Sequence, residues 1–504
     1  MPHTELRAEG ACLAVAGDAL RDVRIWGHRA LDAIYVAARD EEWGTYPADV
    51  RLMSLTHRPG GVTAILRGEH GGDDPVFAWE GVVDVDVAAV RFTMRGRVLR
   101  DLSSQRIGVC LLHPLDLVGR DFQTETDTGT FSAAVNPRPP ASGFNSLRYD
   151  AGCPIDIVLD GPPFEMEDHR NWSDPGWKSY CPPLGDPSPR RFHAGEEIIQ
   201  AVTVRGTANV VPAIGGFAAD QGAYRHVDLV EGAPWPTLPA DVPLSIGLIR
   251  ESPGWLDEAA ARIAGHGRTA EYGPAGHGRI ERVSVFDRGS STTRPGDAGR
   301  VRAVLRELGC GAPVGGGSRA HLAELNRLDA PTDDWDFCTF PVTAQAHHSD
   351  TDSIMATVRA QPYAIEQARR VAPGMPVVVG PLAFRARAGA NSPAAPDDPV
   401  DPRESDPLSA AWLLASVIAL RRAEALTVLL DPAAPTTAIL RRLRTLAGRR
   451  LDVLDTGRDH LLAATVVVDP PLTLVANLGP EPAGFDRGST HALVPGRTAA
   501  VLDT

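Results

Sequence analysis

From residue 1 to about residue 205, apolar and polar positions alternate with a period of two. Val83, Val85 and Val87 are interleaved with Asp84 and Asp86, and Phe92 and Met94 with Arg91, Thr93 and Arg95. Successive side chains of an extended strand point to opposite faces, so this pattern predicts strands with one buried and one solvated face. Further strand-like runs fall at Val23 to Trp26, Ala33 to Ala38, Val62 to Arg67, Ile107 to Leu112, Ile155 to Leu159 and Ile198 to Val204. Turn signals such as Arg58-Pro59-Gly60-Gly61 and Gly71-Gly72-Asp73-Asp74 separate them. This spacing predicts a β-sandwich over residues 1–211, with a long loop from Thr126 to Asn145.

Residues 212–243 are rich in Gly and Pro, include Pro234-Trp235-Pro236, and read as a linker. From Leu244 the pattern changes. Short apolar runs at Ser245–Leu248, Arg282–Phe286, Ala312–Gly315, Asp336–Phe340, Pro376–Val379 and Leu426–Leu430 alternate with helical segments. The helices are expected at Gly299–Leu308, Ser353–Val371, Leu408–Arg422 and Thr436–Ala447. Strand–helix alternation predicts a parallel sheet covered by helices. Six strands over residues 244–450 are short of a full (β/α)₈ barrel, which takes ~250 residues. The expectation is therefore a TIM-barrel-like domain, incomplete. Residues 451–504 return to strands and predict a small C-terminal β-domain. The fold class is multidomain α/β plus β.

Composition narrows the partners. A net charge of −14 argues against nucleic acid and against an anionic membrane surface. The longest apolar run, Ala410 to Leu420, is shorter than the ~20 residues a spanning helix needs. No secretory signal pattern opens the chain. The six cysteines are scattered without a C-x-x-C pair, so they read as reduced thiols in a cytoplasmic protein.

One stretch is chemically dense. After the strand Ile155–Asp160 and a Gly-Pro-Pro break comes FEMEDHRNWSDPGWKSYCPPL, beginning at Phe164. If Phe164 to Arg170 is extended, Phe164 and Met166 point one way while Glu165, Glu167 and His169 share the other face. Such a row asks for a cation, a sugar or an arginine to satisfy it, unless it is an edge strand facing water. Trp172, Trp177 and Tyr180 nearby are residues that stack well on sugar rings. A divalent cation at Glu165, Glu167 and His169 ranks below the other readings, because the spacing matches no metal signature, and no cofactor is expected.

This run resembles the signature of the bacterial D-apionate lactonase family. Tyr35-Val36-Ala37-Ala38-Arg39-Asp40 with Trp43-Gly44-Thr45, and Gln105-Arg106-Ile107-Gly108-Val109-Cys110-Leu111-Leu112-His113-Pro114, also match in order. So do Val314-Gly315-Gly316-Gly317, Glu324-Leu325-Asn326-Arg327 and Val475-Ala476-Asn477-Leu478. The resemblance implies a β-sandwich with a barrel, and a hydrolase that opens a sugar-acid lactone to the aldonate in pentose catabolism. Its partner would be a small sugar lactone.

Reactive groups of barrels sit where strands end. Four such places are loaded here. Glu324, Asn326 and Arg327 follow the three glycines, where the backbone can bend tightly. Gln345, His347 and Asp350 match a family block, with capping of the next helix as the plain alternative for His347. Arg385 and Arg387, one residue apart, would clamp a carboxylate if they share a face, or else form a surface basic pair. Asp431 stands where family members carry a glutamate.

Glu324 and Asp431 are expected to converge, one activating water and the other protonating the leaving alkoxide, with His347 or an arginine stabilising the oxyanion. Glu167, Arg170 and Trp172 are expected on the substrate side. The same acid pair also suits a glycoside hydrolase. A third reading is a non-catalytic carbohydrate-binding relative.

Overall fold

The computed structural model describes residues 4–184, 189–207, 223–233, 244–252, 254–270, 280–328, 333–386, 401–423, 425, 427–430, 451–454, 456, 460–466, 472–487 and 490–503. Two units divide the chain: Met1–His169 with Pro175–Ile214, and Arg170–Asp174 with Gly215–Thr504.

In the first unit the alternating pattern becomes two antiparallel sheets, one of eight strands and one of nine. Every second residue of strands such as Phe77–Asp86 and Ala89–Val98 is buried. Those inward residues, among them Val83, Val85, Phe92 and Met94, join Val36, Val109, Phe164 and Met166 in one apolar core. The eight-stranded sheet brings His28–Arg39, Arg106–His113, Trp177–Tyr180 and Phe164–Asp168 side by side. The loop expected at Thr126–Asn145 carries the short strands Thr128–Thr130 and Ala141–Phe144.

The second unit closes a barrel of seven parallel strands among the described residues: Ala223–Val230, Leu244–Arg250, Ile280–Asp287, Val314–Gly317, Cys338–Thr343, Val377–Ala383 and Thr427–Leu430. The first strand pairs with the second and the last, which closes the ring. Part of the expected linker is thus a barrel strand. Its run Tyr224-Arg225-His226-Val227-Asp228 lacks the continuous apolar character of a buried parallel strand, and Gly/Pro-rich flanks hide it. A helix at Trp255–Ala270, missing from the expected pattern, follows the second strand.

The three glycines lie inside the strand Val314–Gly317 and do not form a bend before a loop. A Cβ at Gly315 or Gly316 would run into the rings of Phe337 and Trp335, and one at Gly317 into the Thr339 backbone. They are there so that the neighbouring strand and its aromatic side chains can approach closely.

Helix Pro407–Arg422 is apolar on nearly all sides, with Leu408, Trp412, Leu413, Leu414, Ile418 and Leu420 buried. It contacts both the barrel strands and the C-terminal sheet, so no face is left for water. That sheet orders Leu451–Leu454, Leu461–Val466, Leu472–Asn477 and Thr498–Asp503 antiparallel. Among the described residues no helix is long and apolar enough to cross a membrane.

Candidate functional site

The barrel strands are parallel, so their carboxyl ends lie on one side, and the polar residues that follow them gather there. After Cys338–Thr343 the turn is pinned twice. Thr343 Oγ1 donates to the Arg385 carbonyl at 2.6 Å and accepts from Gln345 N at 3.2 Å. Gln345 Nε2 then donates to the Phe384 carbonyl at 3.0 Å and to Asp401 Oδ2 at 2.8 Å. Arg403 grips Asp401 through Nε (3.0 Å) and Nη2 (2.6 Å), and donates to the Ser349 carbonyl at 2.6 Å. The hydrogen bond from Arg403 is the main reason Asp401 is held down to about 2. Gln345 is therefore a strut between two strand ends.

This scaffold carries His347. Its Nδ1 lies 2.5 Å from Asp174 Oδ2, and its ring meets Trp172 edge-on with centroids 5.5 Å apart. Asp174 is buried and His347 half-buried. Ser173 adopts φ 71°, a left-handed turn immediately before the acid. The Arg327 guanidinium lies 5.3 Å from the Trp172 ring centre. Helix Thr351–Ala356 is capped by Asp350, whose Oδ1 accepts from Ser353 N at 3.0 Å, so the cap expected as the plain alternative for His347 falls to Asp350.

The short segment bearing Asp174 is anchored on both sides. Asn326 Nδ2 donates to Asn171 Oδ1 at 2.9 Å and Asn326 Oδ1 accepts from Gln367 Nε2 at 2.6 Å. Arg170, fully buried, lies 5.2 Å from the Tyr363 ring centre. Arg170, Trp172, Asn326, Arg327 and His347 are thus brought together, with Asn326 and Arg170 as supports.

Glu324 sits in the first turn of helix Leu322–Asn326, where its Oε2 accepts from His321 N at 2.8 Å. Burial raises its pKa, against the backbone hydrogen bonds and Arg327, which lower it. Arg385 is paired with the buried Glu404 at 2.7 Å, so the carboxylate it grips belongs to the chain itself. Asp431, Arg387 and the helix expected at Thr436–Ala447 lie outside the described residues.

In the first unit the expected strand-face row is broken. The strand ends at Asp168 and His169 opens a 3-10 turn. Glu165 accepts from Tyr180 Oη (2.6 Å), Ser142 Oγ (2.9 Å) and Leu184 N (3.2 Å), so neutral donors occupy it. Glu167 Oε2 lies 3.7 Å from His169 Nε2.

Reading the sequence did not single out Asp174, Asp401, Arg403 or Glu404. Asp174 offered only a turn signal, Asp-Pro-Gly, and the other three follow a Pro-rich stretch with no periodicity. Chemically, an imidazole whose Nδ1 is held by a buried carboxylate is fixed in one tautomer and can accept a proton at Nε2. Asp174 and His347 are also residue types that ligate divalent cations.

A β-sandwich joined in one chain to a parallel barrel, with an acid-held imidazole where a barrel strand ends, is an enzyme architecture. The family profile "D-apionate lactonase, N-terminal domain" matches residues 1–209, and "D-apionate lactonase, TIM barrel domain" matches residues 257–447. The chain belongs to the D-apionate lactonase family. It is 25% identical over 445 residues to the D-apionate lactonase of Brucella anthropi, covering 75% of this chain and 72% of that one. Among solved structures it is similar to the GH36 α-galactosidase AgaA from Geobacillus stearothermophilus, at 9% identity and TM-score 0.29 over 99% of both chains. A putative aldose 1-epimerase from Escherichia coli K12 matches at 12% identity and TM-score 0.28, over 41% of this chain and 98% of that one. Scores this low carry no inference.

Proposed function

We propose that this protein opens a sugar-acid lactone resembling D-apionolactone to the aldonate. The observation that carries the reading is the His347–Asp174 pair at the barrel mouth, in a chain of this family. His347 Nε2 takes a proton from water as its oxygen bonds to the lactone carbonyl carbon. Asp174 stabilises the imidazolium that forms. The tetrahedral oxyanion collapses, the ring C–O bond breaks, and the alkoxide leaves with a proton. Glu324, whose raised pKa keeps it protonated further up in pH than an ordinary glutamic acid, is assigned that proton transfer. Asp431 keeps its proposed place as a second acid, and Trp172 with Arg327 forms the wall against which the sugar ring rests.

A panel of aldonolactones followed with a pH indicator, with and without chelator, tests this against aryl glycosides. Lactone turnover that collapses in His347→Ala supports the assignment. Glycoside turnover without lactone turnover would replace it with the glycosidase reading, and sugar binding without any turnover with the non-catalytic one.

A further inference from the structure

The eight-stranded sheet of the first unit has a second face, turned away from its apolar core. On it the register places Arg39 directly opposite Arg106, and Lys178 directly opposite Glu167. The three cations are 7%, 5% and 3% exposed. Two like charges opposed across a ladder repel, and burial removes the water that would screen them.

Among the described residues the partners of the two arginines are neutral. Arg39 bonds the Thr45 hydroxyl. Arg106 stacks on aromatic rings, its Cζ 3.4 Å from the Tyr180 ring centre and 5.3 Å from that of Trp43. Arg106 Nε has no hydrogen-bond partner among the described residues. Lys178 Nζ lies 5.6 Å from the Tyr35 ring centre. Burial, together with Arg39 and Arg106, drags Lys178 down to about 8. Two acids, Glu165 and Glu167, lie on the same face, and Glu165 is occupied by Tyr180, Ser142 and Leu184.

The geometry points to a binding site for a small carboxylate monoanion on this face, its carboxylate held by Arg39 and Arg106 with Lys178 alongside. Glu165 and Glu167 on the same face repel a dianion more than a monoanion, which favours the single charge. A guanidinium stacked on Tyr180 loses little freedom on binding and presents its N–H edge to a carboxylate. Trp43, 39% exposed beside Arg106, marks the end at which the row reaches solvent. The site does not depend on the lactone-opening reading.

Calorimetric titration of the intact protein with D-gluconate, neutral D-glucitol and inorganic phosphate tests it. Gluconate is expected to bind and glucitol not. Arg106→Met and Arg39→Met should each weaken gluconate by about tenfold or more, and Arg106→Lys by less, because charge without the fork is a partial substitute. Gluconate should also raise the melting temperature of wild type more than glucitol does at equal concentration, a readout that needs no variant. The site is overturned if gluconate fails to bind wild type at about 50 mM, or if glucitol binds equally. Phosphate binding tighter than gluconate, or unchanged gluconate affinity in folded Arg106→Lys and Arg39→Met, would overturn it too. Lactone turnover plays no part in these measurements, so either reading can fail alone.

Discussion

Asp174 Oδ2 and His347 Nδ1 meet at 2.5 Å across 173 residues of sequence. The contact makes the acid a positioning group for the imidazole. Asp174→Asn removes the charge yet keeps the shape, and favours the tautomer with its proton on the wrong nitrogen. Lactone kcat should fall on the order of 10²- to 10⁴-fold with little change in KM, and His347→Ala should do the same. Combining the two should cost scarcely more than either alone, because they act as a unit. Additive losses would show two independent roles.

Glu324 has a structural duty at the start of Leu322–Asn326 and a proposed chemical one, and two substitutions separate them. Glutamine can fill the same position of a capping box, so Glu324→Gln should leave thermal stability near wild type. Unable to release a proton, it should still lower kcat by about 10²-fold. Glu324→Ala should lose the cap as well, at about 1 kcal/mol. Full activity in Glu324→Gln would leave this residue with only its capping role.

What was legible in the sequence was local. A period of two or a short apolar run reveals itself within ten residues, and so the sandwich strands and six of the barrel strands stood out. Ala223–Val230 did not, since Arg225, His226 and Asp228 interrupt its apolar run. The blocks around Glu324, His347 and Arg385 mark strand ends, but sequence carries no signal for which acid, tens or hundreds of residues away, will face each base. Asp174 and Glu404 are found only in the folded chain, and Glu404 changes the meaning of Arg385 altogether.

Arg385 and Glu404 form an ion pair with the carboxylate almost wholly buried. Removing the arginine strands that charge, which costs about 3 to 5 kcal/mol in comparable buried pairs. Arg385→Met should therefore lower the unfolding midpoint sharply, while Arg385→Met with Glu404→Met should recover most of the loss. A double-mutant cycle on urea stability checks this. Arg385→Ala that melts like wild type but loses turnover would return the residue to the substrate clamp.

The first unit should weaken in acid through its buried imidazoles. His113 is fully enclosed, its Nε2 2.7 Å from Ser179 Oγ and its Nδ1 without a hydrogen-bond partner among the described residues. Burial pushes it down to about 3, and pushes His70 down to about 4. In the fold both rings stay neutral, while in the unfolded chain they take up protons below the ordinary value of about 6.5. The unfolded state thus binds more protons throughout the window from 6.5 down to the folded values. The stability these rings contribute is complete above 6.5 and is lost as pH falls through that window. At its steepest the loss is about 1.4 kcal/mol per pH unit for each ring. Urea titrations at pH 7 and pH 5 should show it, and His113→Gln, which keeps a polar partner for Ser179 but does not titrate, should lose one proton's share of the slope. An identical pH slope in wild type and His113→Gln would mean that this ring gains its proton without leaving the fold.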